Sequence, residues 1–374
     1  MTALRDLLDP YVKEGAVPGA VALLARGDDV TAEAVGTQAV DGAVPMARDS
    51  IFRMASLTKP ITAAAVMLLV DEGRVGLEDP VGRWLPELAA PMVVRTPRSP
   101  LDDVVAARRP ITVLDLLTNR AGYGWPSDFS LPQVQALFEV QTDGREVQRR
   151  PAPDEWLADL ARIPLLYQPG EAWLYDTCSD LQGILVARAS GQPLPEFFAE
   201  RIFAPLGMRD TGFVVTERDR FTSYYRRAEN GLVLADGPDG DWSRPPAFPE
   251  GSGGLASTAD DLLRFARMLL ADGAALLSPE SVRQMTTDHL TDAQREIGAL
   301  FLEGQGWGFG GSVDVEAIDP WNVPGRYGWV GGTGTAAYIT PSTGAVTILL
   351  SQLELAGPDS PALIQDFWRY AANA

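Results

Sequence analysis

The sequence predicts an α+β protein, an α/β sandwich in which one antiparallel sheet is flanked by helices and a mainly helical unit is inserted between the sheet's two halves. Three observations lead there. Near the N-terminus, "AVALLARG" and "DVTAEAVG" read as strands joined by Gly27, Asp28 and Asp29, a hairpin signal. Near the C-terminus, "TAAYIT" and "AVTILLSQ" flank the turn "PSTG". Between these ends the chain is helical in flavour, with "VLDLLTN", "APDEWLADLARI", "LQGILVARAS" and "PEFFAERIFAPLG" separated by polar turns. The sheet domain is expected to take residues 1–90 and 250–374, and the helical domain 91–249.

The elements follow in order. "MTALRDLLDPYVKEGAV" reads as an amphipathic helix; it has neither the continuous apolar stretch nor the small-residue cleavage site of a secretion signal. After the first hairpin, a helix is expected from about Ser56 to Glu72, stopped by Gly73. Its middle, "ITAAAVMLLV", is apolar almost all round and so belongs between layers. The Pro- and Arg-rich stretch 92–110 reads as irregular. "STADDLLRFARMLLADG" is a helix whose start fits a capping box, Ser257 with Asp260 or Thr258 with Asp261, and which Gly273 ends. A last helix runs from about Pro361 to Tyr370.

Bulk properties narrow the function. The chain has 374 residues, 46% of them hydrophobic, enough to bury a large core without disulfides. It has one cysteine, Cys178, so no intrachain disulfide forms, and this thiol reads as a small packing residue. The formal net charge is −19, which argues against nucleic acid and anionic membrane surfaces as partners. No apolar run approaches the length of a membrane span, and the expected location is cytoplasmic.

Lysine usage picks out one site. Of 31 basic residues only Lys13 and Lys59 are lysines, and Lys59 lies in "MASLTKP". Residues three apart on a helix share a face, so Ser56 and Lys59 point the same way. At a helix start, free backbone N–H groups and the dipole favour developing negative charge on Ser56. A serine hydroxyl needs a base to become a nucleophile, and a lysine with a lowered pKa can serve; arginine cannot. From spacing alone, an ordinary solvated lysine at a helix start stands beside this reading. The competing schemes are thin. The chain has one histidine, His289, which sits in a polar stretch and reads as a surface residue. No G-x-S-x-G elbow is present, a single histidine excludes an H-E-x-x-H zinc site, and no G-K-[ST] follows Gly251–Gly254.

Taken together, "FRMASLTKPITAAAVMLLVDEGRVGLEDPV", "ITVLDLLTNRAG", "QPGEAWLYDTCSDLQGILV", "GSGGLASTADDLLRFARMLL" and "GWGFGG" resemble the class C β-lactamase, DD-peptidase and family VIII carboxylesterase group over nearly the whole chain. The resemblance implies a β-lactamase/transpeptidase-like fold and three motifs. S-x-x-K falls on Ser56 and Lys59. Y-x-N falls on Tyr175, Asp176 and Thr177, with Tyr175 as general base or proton shuttle. The third motif aligns with Trp329, Val330 and Gly331 in "YGWVGGTGT". A strand there implies an oxyanion hole from the N–H groups of Ser56 and Gly332. Thr177 replaces the usual asparagine, and Trp329 replaces a basic residue that helps hold a substrate carboxylate. Both departures point away from β-lactams and D-Ala-D-Ala peptides and toward neutral esters. Of the aromatics that crowd these motifs, Tyr123, Trp125 and Trp329 have the best places to line an apolar substrate pocket. The implied activity is a serine carboxylesterase working through an acyl-enzyme on a small-molecule ester, with no cofactor and no metal. The rivals are β-lactamase, D-aminopeptidase, amidase or acyl transferase on the same machinery, and a catalytically silent acyl-ligand binding protein.

Overall fold

The computed structural model describes residues 2–142, 144–357 and 360–374. The two predicted hairpins meet in one sheet. β1 (Gly19–Arg26) and β2 (Asp29–Gly36) turn through Gly27 and Asp28, with Arg26 opposite Asp29. Two short pairs lie outside that sheet. β3 (Phe52–Arg53) pairs with β8 (Ala256–Ser257), and β4 (Met92–Val94) pairs with β5 (Val104–Ala106). A third such pair, β6 (Tyr224–Ala228) with β7 (Gly231–Asp236), lies in the middle third. The remaining strands are β9 (Gly306–Trp307), β10 (Ser312–Val313), β11 (Tyr327–Gly331), β12 (Thr335–Thr340) and β13 (Ala345–Ser351). The main sheet runs β2-β1-β13-β12-β11-β10-β9, antiparallel throughout, so the chain's last long strand sits against its first.

Alternation along the strands decides which layer each face meets. Ala20 and Ala22 of β1, Tyr338 of β12 and Leu349 of β13 pack with Leu4 and Leu8 of α1 (Ala3–Lys13) and with Phe367 and Trp368 of the last helix, Ala362–Ala372. Val21, Leu23, Ile348 and Leu350 face the other way. They join the cluster that holds Ile61 and Leu69 of α2 (Thr58–Asp71) and Phe265 and Leu269 of the helix Ala259–Leu270. Covered on both faces, β1 reads as an unbroken apolar run. α2 is buried from Thr58 through Leu69, as its all-round apolar sequence requires, and packs on the helix Thr177–Ser190.

Several local expectations change. The nucleophile segment does not open in an α-turn: Ala55–Leu57 form a 3₁₀ turn, and α2 starts at Thr58. The stretch 92–110 carries the short β4–β5 ladder, whose few residues give little period-2 signal. Thr258, not Ser257, caps its helix by accepting from Asp261 N–H. Asp261 does not complete the box, because its carboxylate instead accepts from Asp210 N–H and the Thr211 hydroxyl. Among the described residues no helix is long and apolar enough to cross a membrane.

Candidate active site

The backbone carries Ser56 to the wall of a large concavity by a short strained path. Met54 N–H bonds to Leu255 O at 2.8 Å, continuing the β3–β8 pairing. Ala55 then takes φ +42°, a left-handed value uncommon for a residue with a Cβ, and the chain turns into the 3₁₀ turn and α2. The end of β11 is bolted to the same segment. The Thr333 hydroxyl donates to Arg53 O at 2.6 Å, and the Thr335 hydroxyl donates to Met54 O at 3.2 Å. Gly331 lets the two backbones approach, since a Cβ there would lie 2.3 Å from Met54 O. Gly332 O accepts from Leu355 N–H at 2.9 Å, which fixes that peptide from its far side.

Ser56, Lys59 and Tyr175 converge although 119 residues separate the serine from the tyrosine. Lys59 Nζ donates to Ser56 Oγ at 3.0 Å, and the Tyr175 and Ser56 hydroxyl oxygens are 2.9 Å apart, with Tyr175 donating. Tyr175 is held by reciprocal backbone bonds with Trp125, each 2.9 Å. Its Oη also accepts from the Trp329 indole N–H at 2.8 Å. Trp329 therefore brings a polar donor as well as an apolar ring to the site. The resemblance alone offered only the loss of a cation there, because an indole's hydrogen bond depends on where its partner sits in space.

The lysine's environment departs from expectation. Lys59 is fully buried, and its amine also donates to Ser252 O at 2.9 Å and pairs with Asp176 Oδ1 at 2.7 Å. Burial alone pushes this amine toward neutrality. The Asp176 carboxylate, helped by Tyr175, the Asp176 hydrogen bond and Asp180, outweighs that push and holds Lys59 above the ordinary lysine value. This direction is opposite to the lowered pKa expected of a neutral lysine base. Behind it, buried Arg150 pairs with Asp180 Oδ2 at 2.7 Å and lies 3.2 Å from Glu250 Oε1. Burial raises Glu250 well above its ordinary value, against the pull of Arg150. Lys59 and Arg150 face Asp176 and Asp180.

The cavity in front of Ser56 has a volume of about 610 Å³. Ser56, Tyr175, Asp176, Trp329 and Gly332 share its lining with an aromatic wall of Trp125, Phe129, Phe138 and Phe301. Phe301 stacks on Tyr175 at 4.8 Å between centroids, and Phe138 stacks on Trp125 at 4.4 Å. At the rim Arg145 pairs with Glu354 at 2.8 Å. The segments 92–110 and 236–251 contribute none of the lining residues.

Three of the residues expected to touch substrate do not line this cavity. Tyr123 is core: it is 1% exposed and its hydroxyl donates to Ile163 O at 2.8 Å. Thr177 is fully buried in the first turn of its helix, and Asp176 occupies the cavity wall instead. Gly331 serves the close approach to Met54. Sequence reasoning missed Phe129, Phe138 and Phe301; a cluster of three phenylalanines drawn from separate segments leaves no motif. His289 is half-buried rather than a surface residue, stacked on Phe309 at 4.6 Å with its Nε2 2.8 Å from Gln284 O, and burial lowers its pKa. Cys178 is buried, and its thiol is pushed up to about 12 by that burial.

Comparison with known proteins agrees over the whole length. The family described as Beta-lactamase matches residues 4–365. An uncharacterized protein of Mycobacterium tuberculosis is 40% identical over 94% of this chain and 88% of its own. Esterase EstB of Burkholderia gladioli is 32% identical over 96% of this chain and 92% of its own. Among solved structures, EstCE1, described as a hydrolase with promiscuous acyltransferase activity, superposes with a TM-score of 0.82 at 25% identity, covering 99% of this chain and 97% of that one.

Proposed function

This chain belongs to the β-lactamase family, and within it we propose that the protein is a serine carboxylesterase that acts on neutral esters through an acyl-enzyme on Ser56. One observation carries the reading: Ser56 Oγ lies within hydrogen-bond reach of both Lys59 Nζ and Tyr175 Oη on the wall of an aromatic cavity. For acylation Tyr175 first gives to solvent the proton it donates to Ser56 in the resting geometry; Ser56 Oγ then attacks the ester carbonyl and its proton passes to the Tyr175 phenolate. The indole N–H of Trp329 and the Lys59 ammonium stabilise the phenolate that this base action requires. The N–H groups of Ser56 and Gly332 receive the tetrahedral oxyanion. Collapse expels the alkoxide, which takes the proton back from Tyr175, and water then cleaves the acyl-enzyme by the same route. The relatives named as esterases support ester substrates, and so does the indole of Trp329 on the cavity wall.

Acyl transfer to an alcohol is the second reading. It is favoured by a cavity roomier than a short acyl group fills and by relatives named as acyltransferases. Hydrolysis of p-nitrophenyl butyrate beside nitrocefin tests the first reading, with Ser56→Ala expected to lose at least about 10⁴-fold in kcat. Faster release of p-nitrophenol on adding an acceptor alcohol marks transfer. Nitrocefin turned over in preference to the ester overturns esterase in favour of lactamase. An active-site phosphonate that leaves Ser56 unlabelled by intact mass overturns both in favour of a silent binding protein.

A further inference from the structure

The chemistry above gives no task to Asp176, yet the backbone is strained to place it. Asp176 has φ +85° and ψ −70°, and Thr177 N–H reaches Tyr175 O at 3.3 Å, a γ-turn with the rare positive φ. Strain of this kind persists only where surrounding contacts impose it. Asp176 stands at the N-cap of the helix Thr177–Ser190, but its side chain takes no hydrogen bond from that helix. The carboxylate turns the other way, with Oδ1 2.7 Å from Lys59 Nζ and Oδ2 accepting from Gln141 Nε2 at 3.0 Å. Gln141 Nε2 also donates to Asp180 Oδ2 at 2.9 Å, and the other Asp180 oxygen accepts from Ser252 N–H at 3.0 Å. The residue whose carbonyl binds Lys59 is therefore tied into the network that holds Asp176.

An ammonium has three donors and no acceptor. Three oxygens surround Lys59 Nζ: Ser56 Oγ at 3.0 Å, Ser252 O at 2.9 Å and Asp176 Oδ1 at 2.7 Å. Two of these, Ser252 O and the Asp176 carboxylate oxygen, can only accept, so a neutral amine would have to turn its lone pair to the Ser56 hydroxyl, whereas an ammonium satisfies all three. We propose that Asp176 is a positioning residue: its carboxylate pins the Lys59 amine as an ammonium through turnover and so leaves Tyr175 to take and return the Ser56 proton. The second half rests on the esterase reading; the first half does not. The charged and titratable groups facing the pair are Tyr175 and Asp180 on the Lys59 side and Arg150 and Glu250 behind Asp176. Of these carboxyl groups Asp176 is the one in contact with the amine, at 2.7 Å.

The two-lysine composition makes the test direct. In protein carrying 13Cε,15Nζ-lysine, only Lys13 and Lys59 give side-chain signals, and Lys13 is an exposed internal reference. Lys59 is expected to remain an ammonium to higher pH than Lys13. In Asp176→Asn the largest opposition to burial is gone, and Lys59 should lose its proton at a clearly lower pH than in the unaltered protein. The variant's kcat on p-nitrophenyl butyrate at neutral pH should fall about tenfold or more. The penalty of Tyr175→Phe should shrink in the Asp176→Asn background, where a neutral lysine can take the proton, and Asp176→Glu should restore part of the activity and the ammonium signal. Lys59 titrating below Lys13 in the unaltered protein overturns the proposal, and this arm holds even if a variant fails to fold. So does a Lys59 titration that Asp176→Asn leaves in place. If Ser56 takes no phosphonate, the esterase reading falls while the titration result stands.

Discussion

The two ends of the cavity are built on opposite terms. At the inner end, Asp176 on the wall and Lys59, Asp180 and Arg150 buried behind it are held by directional contacts of 2.7–3.0 Å, and each charge has an opposite partner. At the outer end, Trp125, Phe129, Phe138 and Phe301 touch through ring faces and edges, and Phe138 is 46% exposed. Directional contacts in a dry environment tolerate little error, because a lost partner leaves a buried polar group unpaired. Aromatic contacts are non-directional enough to accept many shapes. The chemistry is fixed by the inner end, and the choice of substrate is left to the outer one.

That contrast can be broken or sharpened by substitution at each end. The largest effect is expected from Tyr175→Phe, which removes the group assigned to proton transfer. Ester kcat should fall about 10²–10⁴-fold with little change in KM, as steady-state kinetics would read. Retained kcat would end the assignment of Tyr175 as base. Trp329→Phe keeps the ring and deletes the indole donor to Tyr175 Oη. Losing a hydrogen bond to a charged partner predicts about 10–100-fold in kcat; a change confined to KM would return Trp329 to the role of a plain apolar wall. At the outer end, Phe138→Ala should raise KM for aryl esters by about 2–10-fold, leave kcat alone and shift stability by under about 0.5 kcal/mol. An equal loss in kcat would erase the division between the ends.

Glu250 sharpens the electrostatic side. Its folded-state pKa is raised, so the stability it contributes is present below the unfolded value of 4.5 and is lost as pH climbs toward the folded value. Glu250→Gln has no proton to retain. Its unfolding free energy should gain on the unaltered protein as pH rises from about 4.5, measured by denaturant titration at a series of pH values. A constant difference across pH would mean that Glu250 is ionised in the fold. The smallest effect on activity belongs to Tyr123→Phe. It should cost about 1 kcal/mol of stability for the lost bond to Ile163 O and leave KM unchanged, because Tyr123 lies in the core.

Legibility followed the range of the interactions involved. The hairpin of β1 and β2 was plain because Gly27 and Asp28 sit between two strand-like runs, and α2 was plain because an all-round apolar helix must be buried. Ser56 with Lys59 could be found from spacing, since three residues is a local distance. Tyr175 and Trp329 required the resemblance, and their hydrogen bond required coordinates. Tyr123 and Thr177 were misplaced because a residue beside a motif can point into the core or into the cavity, and sequence proximity does not choose between them. The short β4–β5 ladder was missed because three residues carry almost no periodicity.

By itself the sequence determined the strand–helix–strand order, the antiparallel pairing of the chain's ends and a serine beside one of its two lysines, all consequences of local propensity and spacing. Only the tertiary structure decided which groups surround this lysine. Its protonation is set by the balance between burial and the Asp176 carboxylate, which lies 117 positions further along the chain, and no local rule reports that balance.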